Sequence, residues 1–116
     1  MQKIKVIMNG AAGRMGRALA QGLGARENMR LAAAVDTKAS DVDYGLLCGL
    51  GELGFKQELD LAAAVRREQP DVVVDFTSPA AVMNNVRTCL QLHTPVVVGT
   101  TGFSQADYKQ VAKDRK

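Results

Sequence analysis

Residues 4–16 read Ile4-Lys5-Val6-Ile7-Met8-Asn9-Gly10-Ala11-Ala12-Gly13-Arg14-Met15-Gly16, and the change of pattern inside that stretch decides the fold. Ile4 to Met8 is a short β-favouring run. From Arg14 the residues Met15, Ala18, Leu19, Gly22 and Leu23 recur at helical spacing as a narrow apolar stripe, with Gly24 as the stop. A strand thus becomes a helix through glycines spaced GxxGxxG. This is a variant of the GxGxxG fingerprint, in which backbone N–H groups at a helix start face a pyrophosphate. In such a turn Gly10 lets the chain leave the strand sharply, Gly13 lets the phosphates come close, and Gly16 lets the helix lie against the sheet. Arg14 either reinforces the pyrophosphate electrostatically or faces solvent from the first turn.

Further along, Leu31-Ala32-Ala33-Ala34-Val35 reads as a second buried strand ending at Asp36, twenty positions beyond Gly16. A carboxylate there is placed to accept hydrogen bonds from adenosine ribose hydroxyls, which favours NAD, whereas the ammonium of Lys38 would pair with the extra phosphate of NADP. Residues 37–53 form a long connection, in which Leu46-Leu47 either packs locally, the reading preferred, or lines a cofactor edge. A short third strand is expected around Gly54-Phe55-Lys56-Gln57, and a helix over residues 59–67 closed by Pro70. Asp71 to Phe76 has the branched centre of a strand buried between helices. Ser78 is the expected cap of the next helix, with Pro79 at its first position and Val82, Met83, Val86 and Leu90 on its buried face. Val96-Val97-Val98 is one more buried strand.

Alternating strands and helices predict an α/β, three-layer Rossmann-like fold with a mainly parallel sheet. Ligands of such sheets bind beyond the carboxyl ends of the strands. Two further loops occur at such ends. Phe76-Thr77-Ser78-Pro79 would put Thr77 beside a cofactor ribose, with Phe76 shaping the wall. Gly99-Thr100-Thr101-Gly102 would approach the nicotinamide end and offer donors to a bound acid, with Thr101 and Gly102 next to the substrate. Ser104-Gln105-Ala106-Asp107 is a capping box for a last helix, with Phe103 and Tyr108 as its staple. Asp75 is a weaker candidate, since a strand-end carboxylate also serves to satisfy backbone groups.

The chain of 116 residues suits one globular domain and is 47% apolar with a formal charge of +3. Neither a run long enough to span a bilayer nor a signal-like amino terminus is present, so the expected setting is cytoplasmic. Three Phe and two Tyr without a concentrated basic face argue against nucleic acid. Cys48, Cys89 and His93 have no zinc-ligand spacing; the cysteines read as two thiols and His93 as an ordinary loop histidine. No acid–base constellation is visible, and hydride transfer from a reduced nicotinamide needs geometry more than a protein nucleophile. A P-loop NTPase is disfavoured because no Gly-Lys-Ser/Thr follows the glycines.

Taken together, Gly10 to Gly16, Asp75-Phe76-Thr77-Ser78-Pro79 and Gly99-Thr100-Thr101-Gly102-Phe103 closely resemble the bacterial-type dihydrodipicolinate (4-hydroxy-tetrahydrodipicolinate) reductases of the diaminopimelate route to lysine. The resemblance covers essentially all of residues 1–116 as a dinucleotide-binding domain, expected to be incomplete at its carboxyl end. It implies NADH or NADPH as cofactor, bound by Gly10, Gly13, Arg14, Met15, Gly16, Asp36, Phe76, Thr77, Gly99, Thr100, Thr101 and Gly102, to which the reading of the residues adds Ala11 and Ala12 of the turn and Lys38. It also implies reduction of a cyclic dicarboxylate and a homotetramer for the full-length enzyme. Thr37 stands where some relatives carry a basic residue, which leaves the choice between NADH and NADPH open. The family's paired-histidine segment, which supplies proton donation and dicarboxylate binding from a second domain, is absent from these residues, so the piece alone is expected to bind dinucleotide but not to turn over substrate. Two rival readings remain: the cofactor domain of another NAD(P)-dependent oxidoreductase, and a non-enzymatic dinucleotide-sensing module.

Overall fold

The computed structural model describes residues 3–24 and 26–99. Along the chain run β1 (Ile4–Asn9), α1 (Arg14–Gly24), β2 (Met29–Val35), α2 (Tyr44–Leu47), β3 (Gln57–Glu58), α3 (Leu61–Glu68), β4 (Val72–Asp75), α4 (Pro79–Gln91) and β5 (Val96–Val98). All strand pairs are parallel, in the spatial order β3-β2-β1-β4-β5. The expected parallel α/β architecture is therefore present. The capping box at Ser104 and the staple of Phe103 and Tyr108 lie outside the described residues.

Side chains of the central strands alternate between two apolar layers, as a pleated strand requires. On one face Ile7, Ala33, Val35 and Val73 meet Leu61, Ala64 and Val65 of α3 and Cys89 of α4. On the other face Met8 and Ala34 meet Ala20 of α1 together with Tyr44 and Cys48. Each Val or Ile so enclosed contributes on the order of 1.5–3 kcal/mol of hydrophobic free energy. Cys48 and Cys89 are buried free thiols. Burial, reinforced by the Asp75 charge, pushes the Cys89 thiol up to about 12, so it packs as a neutral hydrophobe.

Several local expectations need correction. The stripe of α1 is rolled from its expected position: Met15 is 62% exposed and Ala18 and Gly22 face solvent, while Gly16 and Ala20 are buried and Leu19 and Leu23 half-buried. Small residues set this roll, because Gly16 and Ala20 let the helix approach more closely than a Met at the seam would permit. The third strand is Gln57–Glu58, later than expected, and pairs with Ala34 and Val35. Within the 37–53 connection a single helical turn forms, and Leu46 is exposed while Leu47 packs inward. Ser78 stands at the start of α4 with Pro79 behind it, but its side chain makes no capping hydrogen bond. On α4, Val82, Val86 and Cys89 are buried, whereas Met83 and Leu90 are half-buried.

His93 ends α4. It adopts φ 55, its N–H donates to Leu90 O at 3.1 Å, and the Thr94 N–H donates to Cys89 O at 2.8 Å, the paired bonds of a Schellman stop. The residue is exposed and serves as a helix terminator. Among the described residues no helix is long and apolar enough to cross a membrane.

The topology fixes where a ligand can sit. From β1 the chain crosses through α1 to β2 on one side, and from β4 it crosses through α4 to β5 on the other. Beyond the carboxyl ends of the adjacent strands β1 and β4 the connections diverge and leave a crevice.

Candidate functional site

That crevice is a cleft of about 840 Å³. Gly10, Ala12 and Gly13 form one wall, Phe76 and Thr77 the other, and Asp36 and Lys38 lie at the end beyond β2. Ala11 and Gly16 are buried beneath the turn, while Arg14 and Met15 are exposed on the first turn of α1, and none of these four belongs to the cleft lining. Gly99 ends β5 against the middle loop, its N–H donating to Asp75 O at 2.8 Å. Thr100, Thr101 and Gly102 lie outside the described residues.

The glycines of the turn are required for different reasons. Gly10 has φ +83, and a Cβ there would stand 2.8 Å from the Phe76 carbonyl carbon and 3.0 Å from the Thr77 nitrogen. It therefore permits both the turn and the contact between the two loops. A Cβ on Gly16 would collide with Gly10 O and press on the Ala11 backbone, so this glycine lets α1 seat on the turn itself. Gly13 differs from both. It is exposed, a Cβ there would meet only Gly10 O at 3.6 Å, and it lines the cleft. Among the described residues, none needs position 13 to lack a side chain.

Backbone donors of the turn divide in the same way. The N–H groups of Gly10 and Ala11 both donate to Val35 O, at 2.9 and 3.1 Å, and that of Gly13 donates to Gly10 O at 3.3 Å. Ala12 N–H donates to Asp36 Oδ2 at 2.9 Å. Arg17 N–H is the first to close a helical bond, onto Gly13 O at 3.0 Å, so the donors at Arg14, Met15 and Gly16 have no partner within α1. Among the described residues, three N–H groups at the positive end of a helix dipole thus have no backbone acceptor, the arrangement that favours an anion.

Asp36 is half-buried and already bonded within the protein. Besides Ala12, its Oδ1 accepts from Thr37 N at 2.7 Å and Thr37 Oγ1 at 3.2 Å. Each carboxylate oxygen keeps further acceptor capacity for a ligand hydroxyl. The ammonium of Lys38 is on an exposed residue whose carbonyl is tied down by Gln57 Nε2 at 2.6 Å.

Sequence reasoning missed the network that shapes the opposite wall. Asp75 is fully buried, accepts from Asn9 Nδ2 at 3.0 Å and from Thr77 N and Oγ1 at 2.8 and 2.6 Å, and Asn85 Nδ2 donates to the same Thr77 hydroxyl at 3.1 Å. Asn9 and Asn85 also line the cleft. Asp75 therefore fixes the loop, as its strand-end position allowed. Also missed were Leu59, 61% exposed beside the Asp36 end, and Tyr44, whose ring supports the turn from below. A polar residue ending β1 and another two turns into α4 were the available signals for Asn9 and Asn85; nothing local pointed to Tyr44. Among the described residues no group of three or more His, Cys, Asp or Glu could hold a metal.

Comparison with known proteins bears on what this cleft holds. Residues 4–116 match the family model described as dihydrodipicolinate reductase, N-terminus. A 4-hydroxy-tetrahydrodipicolinate reductase of Syntrophomonas wolfei is 40% identical over 112 residues, which is 97% of this chain and 42% of that relative. One from Moorella thermoacetica is 42% identical over 101 residues, covering 87% of this chain and 38% of the relative. Among solved structures, a dipicolinate-bound dihydrodipicolinate reductase from Paenisporosarcina sp. TG-14 superposes with a TM-score of 0.75 at 29% identity, over 97% of this chain and 43% of that one. The chain thus spans about two fifths of the length of each relative.

Proposed function

The chain belongs to the dihydrodipicolinate reductase family through its amino-terminal region, and from that premise we propose that it supplies the NADH- or NADPH-binding part of an enzyme that reduces 4-hydroxy-tetrahydrodipicolinate to tetrahydrodipicolinate. The observation that carries this proposal is Gly13, an exposed glycine in the cleft wall whose missing side chain serves no contact among the described residues. Space kept open at the start of a helix with three free donors fits a pyrophosphate.

In that role the N–H groups of Arg14, Met15 and Gly16 hold the pyrophosphate, and Asp36 accepts the adenosine ribose hydroxyls at the far end. Phe76 and Thr77, held by Asp75 and Asn85, form the wall toward the nicotinamide half. The reduced nicotinamide supplies the hydride when bound. Gly99 and the residues after it, Thr100, Thr101 and Gly102, complete the cofactor site, with Thr101 and Gly102 facing the cyclic dicarboxylate. Proton donation and the main carboxylate contacts belong to a second domain of the kind its relatives' greater length accommodates. A homotetrameric cytoplasmic enzyme is the corresponding assembly. Asp36 opposes an additional ribose phosphate and Lys38 favours one, so use of both dinucleotides follows.

Calorimetric titration with NADH and NADPH tests the assignment. Saturable binding of both is expected, with Lys38→Ala weakening NADPH more than NADH. Binding of neither would overturn it, and reduction of the substrate by the 116-residue chain alone would overturn the assignment of proton donation to a second domain.

A further inference from the structure

One peptide plane in the glycine turn is gripped at both ends by side chains distant in sequence. The Ala11 carbonyl accepts the Tyr44 hydroxyl at 2.8 Å, a buried bond spanning 33 residues. The N–H of the same peptide, on Ala12, donates to Asp36 Oδ2 at 2.9 Å. In a trans peptide these two groups point in opposite directions, so Tyr44 pulls from beneath the turn while Asp36 pulls from the cleft side. Reversing the plane would turn the Ala11 carbonyl oxygen toward the Asp36 carboxylate, acceptor against acceptor, and toward the space assigned to phosphate.

Tyr44 is built to hold this position. Its N–H donates to Phe55 O at 2.9 Å, and its ring stacks on Phe55 with centroids 6.2 Å apart. The residue is fully buried, with its hydroxyl spent on the Ala11 carbonyl, so it acts from beneath the turn and not on a ligand in the cleft. Burial, helped by the Cys48 thiol, pushes its phenol well above the ordinary tyrosine value, which keeps the hydroxyl a donor.

We infer that Tyr44 is a positioning residue for dinucleotide binding: by holding the Ala11 carbonyl it sets the Ala11–Ala12 peptide so that the turn presents donors, and not a carbonyl oxygen, to the pyrophosphate. Asp36 holds the other end of that peptide through Oδ2 alone, and its Oδ1 is turned to Thr37. The inference rests on the cofactor assignment made above.

The test is Tyr44→Phe in the 116-residue chain, which keeps the ring and removes only the donor. Titration with NADH, with ADP-ribose and with adenosine separates positioning from general weakening, because adenosine carries no pyrophosphate. Affinity for NADH and ADP-ribose is expected to fall about 5- to 20-fold, the scale of one lost hydrogen bond, with adenosine unchanged. In the free protein the Ala11 carbonyl-carbon and Ala12 amide resonances should move. Unchanged affinity for all three ligands, or an equal loss for all three, would overturn the inference while leaving the cofactor assignment intact. Absence of NADH and NADPH binding by the unsubstituted chain would overturn both. Should the variant not fold, 3-fluorotyrosine in the unsubstituted sequence carries the test: the fluorine resonance of residue 44 shifts with NADH, and no shift, or one equalled by adenosine, contradicts the inference.

Discussion

Two segments of this molecule gather glycines around an aspartate, and they dispose of their backbone donors in opposite ways. In the connection between β2 and β3, Asp43 accepts from the N–H groups of Gly45, Leu53 and Gly54 at 2.8, 2.9 and 2.7 Å, and Gly45 packs so closely that a Cβ would collide with Gly51 O. That segment turns these three donors onto its own carboxylate. In the turn of residues 10–16, Asp36 takes one N–H, and those of Arg14, Met15 and Gly16, directly after the cleft-lining Gly13, have no helical partner. Glycine content alone therefore does not distinguish a brace from a binding turn; the destination of each N–H does. The two segments also meet, since Tyr44, next to Asp43, holds the Ala11 carbonyl.

The largest expected effects come from filling the spaces that both segments close upon themselves. Gly45→Ala and Gly16→Ala each force a Cβ onto a backbone carbonyl oxygen and should destabilise by about 2–4 kcal/mol, read by chemical denaturation. If either melts like the unsubstituted chain, the packing assigned to that glycine is wrong.

Next in size is loss of the Asp43 brace. The Leu53 N–H, against the opposing effect of burial and with the help of the Gly54, Gly45 and Leu46 N–H groups, holds this carboxyl below the ordinary value of 3.8. A folded value below the unfolded one means that the stabilisation is present in full above the unfolded value and is lost as pH falls through the folded one. Asp43→Ala should therefore lower the melting temperature at neutral pH, and the gap from the unsubstituted chain should close below about pH 4. A gap independent of pH would show that the carboxylate charge is not what the loop donors recognise.

The smallest expected change lies away from both segments. His93 occupies the left-handed position that glycine favours, so His93→Gly should stabilise by about 0.5–1 kcal/mol without altering dinucleotide affinity.

Much of this architecture was legible because it is local. Apolar runs such as Val72 to Val74 and the glycine spacing announced the parallel sheet and the first turn, and the positions of Gly10, Asp36, Phe76 and Thr77 followed from strand ends. The roll of α1 was misread because hydrophobicity ranks Met15 above Gly16, whereas close approach of backbones rewards the smaller residue. The short β3 was displaced because two residues carry almost no periodic signal. Tyr44 was invisible for a different reason: its role is a contact across 33 residues, supported by a loop whose order depends on one carboxylate. The internal bond of Asp36 to Ala12 was hidden likewise, by 24 residues of separation.

On the function proposed above, Gly13 is glycine for the sake of a ligand and not of the fold. Gly13→Asp tests it most directly, because the residue whose carbonyl accepts the first bond of α1 is one where aspartate is a favoured cap. Melting temperature and NADH affinity should be measured together on this variant and the unsubstituted chain. The expected result is an unchanged or slightly raised melting temperature with NADH affinity reduced at least about tenfold, a loss of about 1.4 kcal/mol or more. Unreduced affinity in the folded variant would contradict the account.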